Sequence, residues 1–195
     1  MLSIPVYMVS VFGLIVFAFI VFRIFVRRSY LRKGRLTWLS SSLEFLIFVL
    51  FGTLTWLDLP SGWPPTYVNP ILRTIGWFCI TIGLSVMFIL ISWFGWLRAM
   101  GQKVNVLIQS GPYRITRNPQ ILACFIAVFG YALLWPSWHT LGWVILFSVI
   151  AQLMVLTEEE HLRIIFGEKY VQYCARVPRY IGVQKKRFIN PPQAE

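Results

Sequence analysis

The stretch GPYRITRNPQ, residues 111–120, sets two arginines and an asparagine directly before an apolar run. Gly111-Pro112 and Asn118-Pro119 are both turn signals. Pro119 suits the first turn of a helix, where its missing N–H costs nothing, and Asn118 is then the expected N-cap. Arg117 therefore stands at a helix start, and Tyr113 and Arg114 arrive at the same mouth. A guanidinium beside a helix N-terminus is suited to a carboxylate. A loop followed by a capped helix accounts for Asn118 and Pro119 alone. Positive charge beside a membrane accounts for the arginines in part.

The opposite charge lies downstream, in LTEEEHLRIIFGEKYVQYCARVPRYI. Glu158, Glu159 and Glu160 are three of the chain's seven acids. Consecutive helical residues point about 100° apart, so the three cannot share one direction, and one or two can face back toward the preceding helices. Carboxylates in that position suit a cation, whereas a solvated helix face is the plainer account of a charge run. Phe166, Tyr170 and Tyr173 follow at spacings of four and three, which puts three rings on one helical face. Gly167 costs such a helix about 1 kcal/mol and marks a place where it can break. Val177-Pro178-Arg179-Tyr180 closes the segment. His161 beside the glutamates is a lone histidine that nothing in the sequence orients, and it reads as an interfacial residue rather than a base. Cys79, Cys124 and Cys174 lack the close spacing of a metal or disulfide framework, so no metal site is expected. No Gly-rich dinucleotide fingerprint occurs.

The elements that must position these residues are helices in a membrane. The chain has 195 residues, of which 57% are hydrophobic and 13% charged. Soluble domains carry about 25% charged residues. The mean hydropathy of +0.68 agrees with a membrane protein. Spanning helices need roughly 20 apolar residues, and suitable runs are Pro5 to Val26, Trp38 to Leu57 and Pro70 to Leu97. A cleaved signal peptide does not suit the first run, because its positive charge comes after the apolar stretch and no small-residue site follows. Two shorter runs, Gln120 to Trp135 and Leu141 to Leu156, flank WPSWHT and read as a tight helical hairpin with Trp135 and Trp138 at the interface. The expected fold is all-α, with about five transmembrane helices and a C-terminal cytoplasmic segment.

Sixteen of the eighteen Lys and Arg fall in three segments, Arg27 to Arg35, Arg98 to Arg117 and Arg163 to Arg187. The positive-inside rule places these in the cytoplasm, with the N-terminus outside and the C-terminus inside. The net charge of +11 follows from this bias and from attraction to anionic lipid, so nucleic-acid binding is not needed to explain it. Three regions are expected: 1–97 with three helices, 98–183 holding the chemistry, and a loose tail over 184–195.

The ordered set GPYRITRNP, apolar hairpin, EEEHL, FGEKYVQY and VPRY resembles the isoprenylcysteine carboxyl methyltransferase and phospholipid methyltransferase superfamily. It covers about residues 105–182. The resemblance implies S-adenosylmethionine as cofactor, held by Gly111, Tyr113, Arg117, Asn118, Pro119, Glu158, Glu159, Leu162, Tyr170 and Tyr173. It also implies a hydrophobic or lipid-like acceptor, an isoprenylcysteine-like carboxylate or a phospholipid amine, that enters from the bilayer. Arg179 and Glu159 are the expected catalytic residues, Arg179 holding an acidic acceptor. On this view cofactor charges lie between Arg117 and the glutamates. Two departures stand out: Asn118 occupies a position where many relatives have His, and Gln120-Ile121 follows Pro119 where Tyr is common. Two other classes compete, a membrane NADPH-dependent reductase of the sterol or steroid type and a non-catalytic membrane protein with a decayed site. Glu44, inside the second span, is either neutral and bonded to Ser41 or Ser42, or lines a substrate cavity.

Overall fold

The computed structural model describes residues 1–60, 68–102 and 106–182. Most of the interval between Asp58 and Asn69, Lys103, and the tail with Lys185, Lys186 and Arg187 lie outside the described residues. No strand occurs among the described residues. Six helices carry the fold: α1 (Ile4–Lys33), α2 (Trp38–Leu57), α3 (Pro70–Phe94), α4 (Pro119–Leu134), α5 (Trp138–Phe166) and α6 (Glu168–Arg176). Helices α1, α2, α3 and α5 are long and apolar enough to cross a membrane, so the chain is an integral, multi-pass membrane protein. The expected fifth span, α4, is apolar but has only 16 residues. At 1.5 Å per residue it reaches about 24 Å, short of the roughly 30 Å hydrocarbon core.

Local chemistry sets the helix ends. Thr37 accepts the Ser40 N–H to start α2, Asn69 accepts the Ile71 N–H to start α3, and Ser137 accepts the Thr140 N–H to start α5. Each is a side-chain N-cap. The α4–α5 hairpin turns at Trp135-Pro136-Ser137, as the sequence predicts. Its tryptophans part company, however. Trp138 is 86% exposed, while Trp135 is buried and meets Trp77 edge-on. Only Trp138 therefore suits an interfacial belt.

Two packing units meet at this hairpin. Helices α1, α2 and α5 share a core that includes Ala18, Phe22, Ile47, Trp143 and Ile150. At the N-terminal end of α5, the buried Asp58 carboxylate accepts the Leu2 amide at 2.7 Å and the Trp143 indole N–H at 2.8 Å, with His139 Nδ1 at 3.0 Å. Helices α3 and α4 approach along Gly76, Gly83, Ala123, Ala127 and Gly130. A Cβ at Gly130 would lie 2.6 Å from the Gly76 carbonyl oxygen, and one at Gly83 would lie 2.7 Å from that of Ala123. Lipid gives apolar helices no hydrophobic reason to associate, so contact at such small residues supplies the packing.

Helix α5 has 29 residues, or about 43 Å. It exceeds the roughly 30 Å bilayer core by about two turns, and these carry the glutamates and His161 beyond Leu156. Gly167, at φ 52°, then breaks the chain between α5 and α6. That left-handed conformation is one L side chains rarely adopt. The break lets α6 fold back so that Tyr170 and Tyr173 pack with Phe166 and Leu162.

Candidate functional site

The charged end of α5 meets the segment before α4. Gly111–Arg114 forms a single 3-10 turn, with Gly111 at φ 58° against the Trp93 ring. The Tyr113 ring stacks on Phe94 with centroids 5.4 Å apart. The backbone then runs through Thr116, Arg117 and Asn118 into α4.

The C-terminal motif is stitched to this segment. The Arg117 amide donates to the Pro178 carbonyl at 3.0 Å. The Thr116 hydroxyl and the Asn118 side-chain amide both donate to the Arg179 carbonyl, at 3.1 and 3.0 Å. The Tyr173 hydroxyl donates to the Tyr113 carbonyl at 2.7 Å. Asn118 is thus the N-cap residue by position only: its side chain makes no capping bond and holds Val177-Pro178-Arg179 in place instead. The co-occurrence of R-N-P and V-P-R in the sequence has a structural cause, because each satisfies the other's backbone.

Charge reinforces the clasp. Glu159 is 5% exposed. Its carboxylate receives the Arg179 guanidinium through two hydrogen bonds, at 2.9 and 2.7 Å, and lies 2.8 Å from Arg117 Nη1. Arg117 Nη1 also approaches Cys174 Sγ at 2.8 Å. Arg117 and Glu159 therefore touch each other directly. Paired guanidinium–carboxylate hydrogen bonds of this kind are roughly twice as strong as neutral ones. Glu160 points elsewhere, to Arg23 and Arg27 of α1. The two residues are adjacent on α5, and the 100° step between them sends one to the site and one to the outer face.

A cavity opens beside this clasp, enclosing about 1110 Å3 with its open mouth included. Of the ten residues expected to hold a cofactor, Gly111 alone does not line it. Gly111 shapes the turn that presents Tyr113. Arg179 does not line the cavity either; it acts on the walls through Glu159. The lining also includes Tyr30, Glu44, Phe94, Arg98, Gln120 and His161, so regions 1–97 and 98–183 both build the walls. Ser41 donates to the Met100 carbonyl at 2.8 Å and makes no bond to Glu44, which faces the cavity. Burial holds the Tyr113 and Tyr170 phenols protonated well above their usual range and pushes Tyr173 up to about 12.

Three wall residues carry buried polar atoms with no partner: Arg117 Nε, Gln120 Nε2 and His161 Nε2. Buried donors are nearly always satisfied. All three belong to residues that line this one cavity. Gln120, Tyr30 and His161 escape sequence reasoning for different reasons. Gln120 departs from the expected Tyr, Tyr30 lies far upstream in a basic stretch, and His161 has partners only in three dimensions. Among the described residues, no cluster of three His, Cys, Asp or Glu could hold a metal ion.

The helical bundle thus carries a polar-lined cavity at the charged end of α5. Residues 71–169, half of the chain, match the family model for phospholipid methyltransferases. The chain belongs to that family. The family generally uses S-adenosylmethionine. The chain is also similar to the cobalt-zinc-cadmium resistance protein CzcN of Cupriavidus metallidurans, at 28% identity over 121 residues. That match covers 62% of this chain and about half of the relative's length. No solved structure matches.

Proposed function

We propose that the chain transfers the methyl group of S-adenosylmethionine to a hydrophobic acceptor in the membrane. The orphaned donors of Arg117 and Gln120 carry this reading. The Arg117 Nη1 is engaged by Glu159, but its Nε stays free for a carboxylate, and Gln120 Nε2 is free for a second acceptor atom. Glu158 lines the same cavity and, among the described residues, makes no hydrogen bond or ion pair, so it suits an ammonium. Tyr113, Tyr170 and Tyr173 offer ring faces for a heterocycle. These groups fit the amino-acid end and the base of that cofactor. When bound, the cofactor supplies a methyl on a sulfonium, already a good leaving group.

The chain's own part is mainly alignment and exclusion of water. Glu159 fixes Arg117 and Arg179, and Arg179 with Val177 and Pro178 seals the segment 116–118. Glu159 and Arg179 thus serve as positioning residues rather than touching the reacting atoms. The acceptor enters from the bilayer side, between spans, with the cavity on the cytoplasmic side where the basic segments lie; the C-terminus is then inside and the N-terminus outside. Region 98–183 is the catalytic region, completed by walls from the first three helices.

Purified protein incubated with methyl-labelled S-adenosylmethionine and its native membrane extract tests this. Label in the organic phase is the expected result, and it should fall when Gln120 is replaced by Leu. No label in lipid at any protein concentration contradicts the proposal.

A further inference from the structure

The clasp beside the cavity ends in apolar residues that methyl transfer does not use. The Arg117 amide donates to the Pro178 carbonyl, and the Thr116 hydroxyl donates to the Arg179 carbonyl. Followed outward, the same pairing leads to Ile115 on one segment and to Tyr180 and Ile181 on the other. Ile115 is 71% exposed and Ile181 is 84% exposed. A single exposed aliphatic side chain is ordinary on a protein surface. Here two stand at one tip, and each follows an arginine, in Arg114-Ile115 and in Arg179-Tyr180-Ile181.

Tyr180 fixes the depth of that tip. Its hydroxyl donates to Gln152 Oε1 at 2.9 Å, and its ring packs on the core shared by α1, α2 and α5. Gln152 lies in the apolar run of α5 that ends at Leu156, about 6 Å along the helix below that end. Arg179, one residue earlier in the chain, makes two hydrogen bonds to Glu159, which lies about 4.5 Å above the same end. Between residues 179 and 180 the chain therefore passes from the charged level of α5 to its apolar level. A phenol and a carboxamide at the apolar level have no water to bond, so each satisfies the other. Leu156 is itself 39% exposed, so the tip adjoins the outward apolar face of a spanning helix.

We propose that Ile115, Tyr180 and Ile181 form a membrane-seating surface, with both isoleucines among the acyl chains of the leaflet at the charged end of α5. Two observations select lipid as the occupant. The tip is continuous with the apolar surface of α5. In addition, each segment sets a basic residue before an apolar one, the order that suits anionic headgroups above hydrocarbon. This inference goes beyond the methyltransferase reading and does not depend on it. Arg179 is then held from two sides, by Glu159 through its guanidinium and by the bilayer through the residues that follow it. The clasp around Arg117 is fastened to the membrane as well as to the protein.

The test uses the full chain in vesicles of phosphatidylcholine and phosphatidylglycerol that include a phosphatidylcholine with a diazirine on its acyl chain. A water-soluble diazirine is the parallel probe. After photolysis, mass spectrometry of the peptides reads which residues gain label. Acyl-chain label at both Ile115 and Ile181, with little from the aqueous probe, is the expected result. Ile145, 56% exposed on α5, is the internal standard for lipid contact. Ile181→Asp should lose the acyl-chain label at position 181 and at Ile115, while Ile145 keeps its label and reports that the variant is still inserted. If Ile181→Asp does not insert, the labelling of the unaltered chain decides. Labelling of both isoleucines by the aqueous probe alone overturns the inference. Label from neither probe means that protein covers the tip, which overturns it too, as does an unchanged Ile115 label in inserted Ile181→Asp.

Discussion

Glu159→Gln is the most informative single change to the clasp. The substitution keeps shape and removes one charge. Arg117, whose side chain is 11% exposed, and Glu159, at 6%, form a buried pair, whereas Arg179 is 33% exposed. Breaking a buried pair by removing one partner costs about 3–5 kcal/mol, because the other charge is left uncompensated. The more exposed Arg179 contact adds only about 0–1 kcal/mol. The Arg117 contribution dominates, so the total stays near 3–5 kcal/mol by the same measure. At roughly 2–4 °C per kcal/mol for a chain of this size, the midpoint should fall by about 6–20 °C. Tryptophan fluorescence during heating in detergent measures this. Glu160→Gln is the matched control. It removes the adjacent carboxylate, whose partners Arg23 and Arg27 are more exposed, so its effect should be slight. Equal shifts in the two variants would refute the reasoning that burial, not pairing as such, sets the cost.

Three further outcomes follow from the same geometry. Gly130→Ala should destabilise the α3–α4 pair by about 1–3 kcal/mol, seen as a lower thermal midpoint, because its Cβ would press on the Gly76 carbonyl and on Cys79. Above pH 10 an unfolded tyrosine gives up its proton, while folded Tyr173 holds it until about 12. Stability should therefore be intact below pH 10 and fall between pH 10 and 12, and Tyr173→Phe should flatten that fall in a denaturation series. Trp143→Phe removes one charged hydrogen bond from buried Asp58 and should lower stability by about 1.5–3 kcal/mol, read from the same melts.

The helices were legible because apolar length and flanking charge are local properties. Cap chemistry was legible in part: Pro119 starts α4 as expected, but Asn118 turned its amide to the Arg179 carbonyl, a residue 61 positions away. The shortness of α4 is visible in the run Gln120 to Trp135, but its close fit to α3, where Gly76 meets Gly130, is not. The rings of Tyr170 and Tyr173 were expected on one face, and Gly167 was recognised as the place for a break. What the sequence could not supply was pairing across distance. Helical spacing leaves open which glutamate faces where, and the resemblance singles out Glu158 and Glu159; the rotation of α5 sends Glu158 to the cavity, Glu159 to two arginines and Glu160 to α1. Glu44 lines the cavity, while its neighbour Ser41 bonds to the Met100 carbonyl.

The most direct measurement is titration calorimetry of the detergent-purified chain with S-adenosylmethionine, S-adenosylhomocysteine and NADPH, repeated on Arg117→Lys. An ammonium keeps the charge but loses the guanidinium's Nε–H and planar fork. The unaltered chain should bind both sulfur ligands and not NADPH. Arg117→Lys should stay folded and bind about ten- to a hundredfold more weakly, as expected for a lost charged hydrogen bond of about 1.5–3 kcal/mol. Saturable NADPH binding with no response to either sulfur ligand would contradict the account.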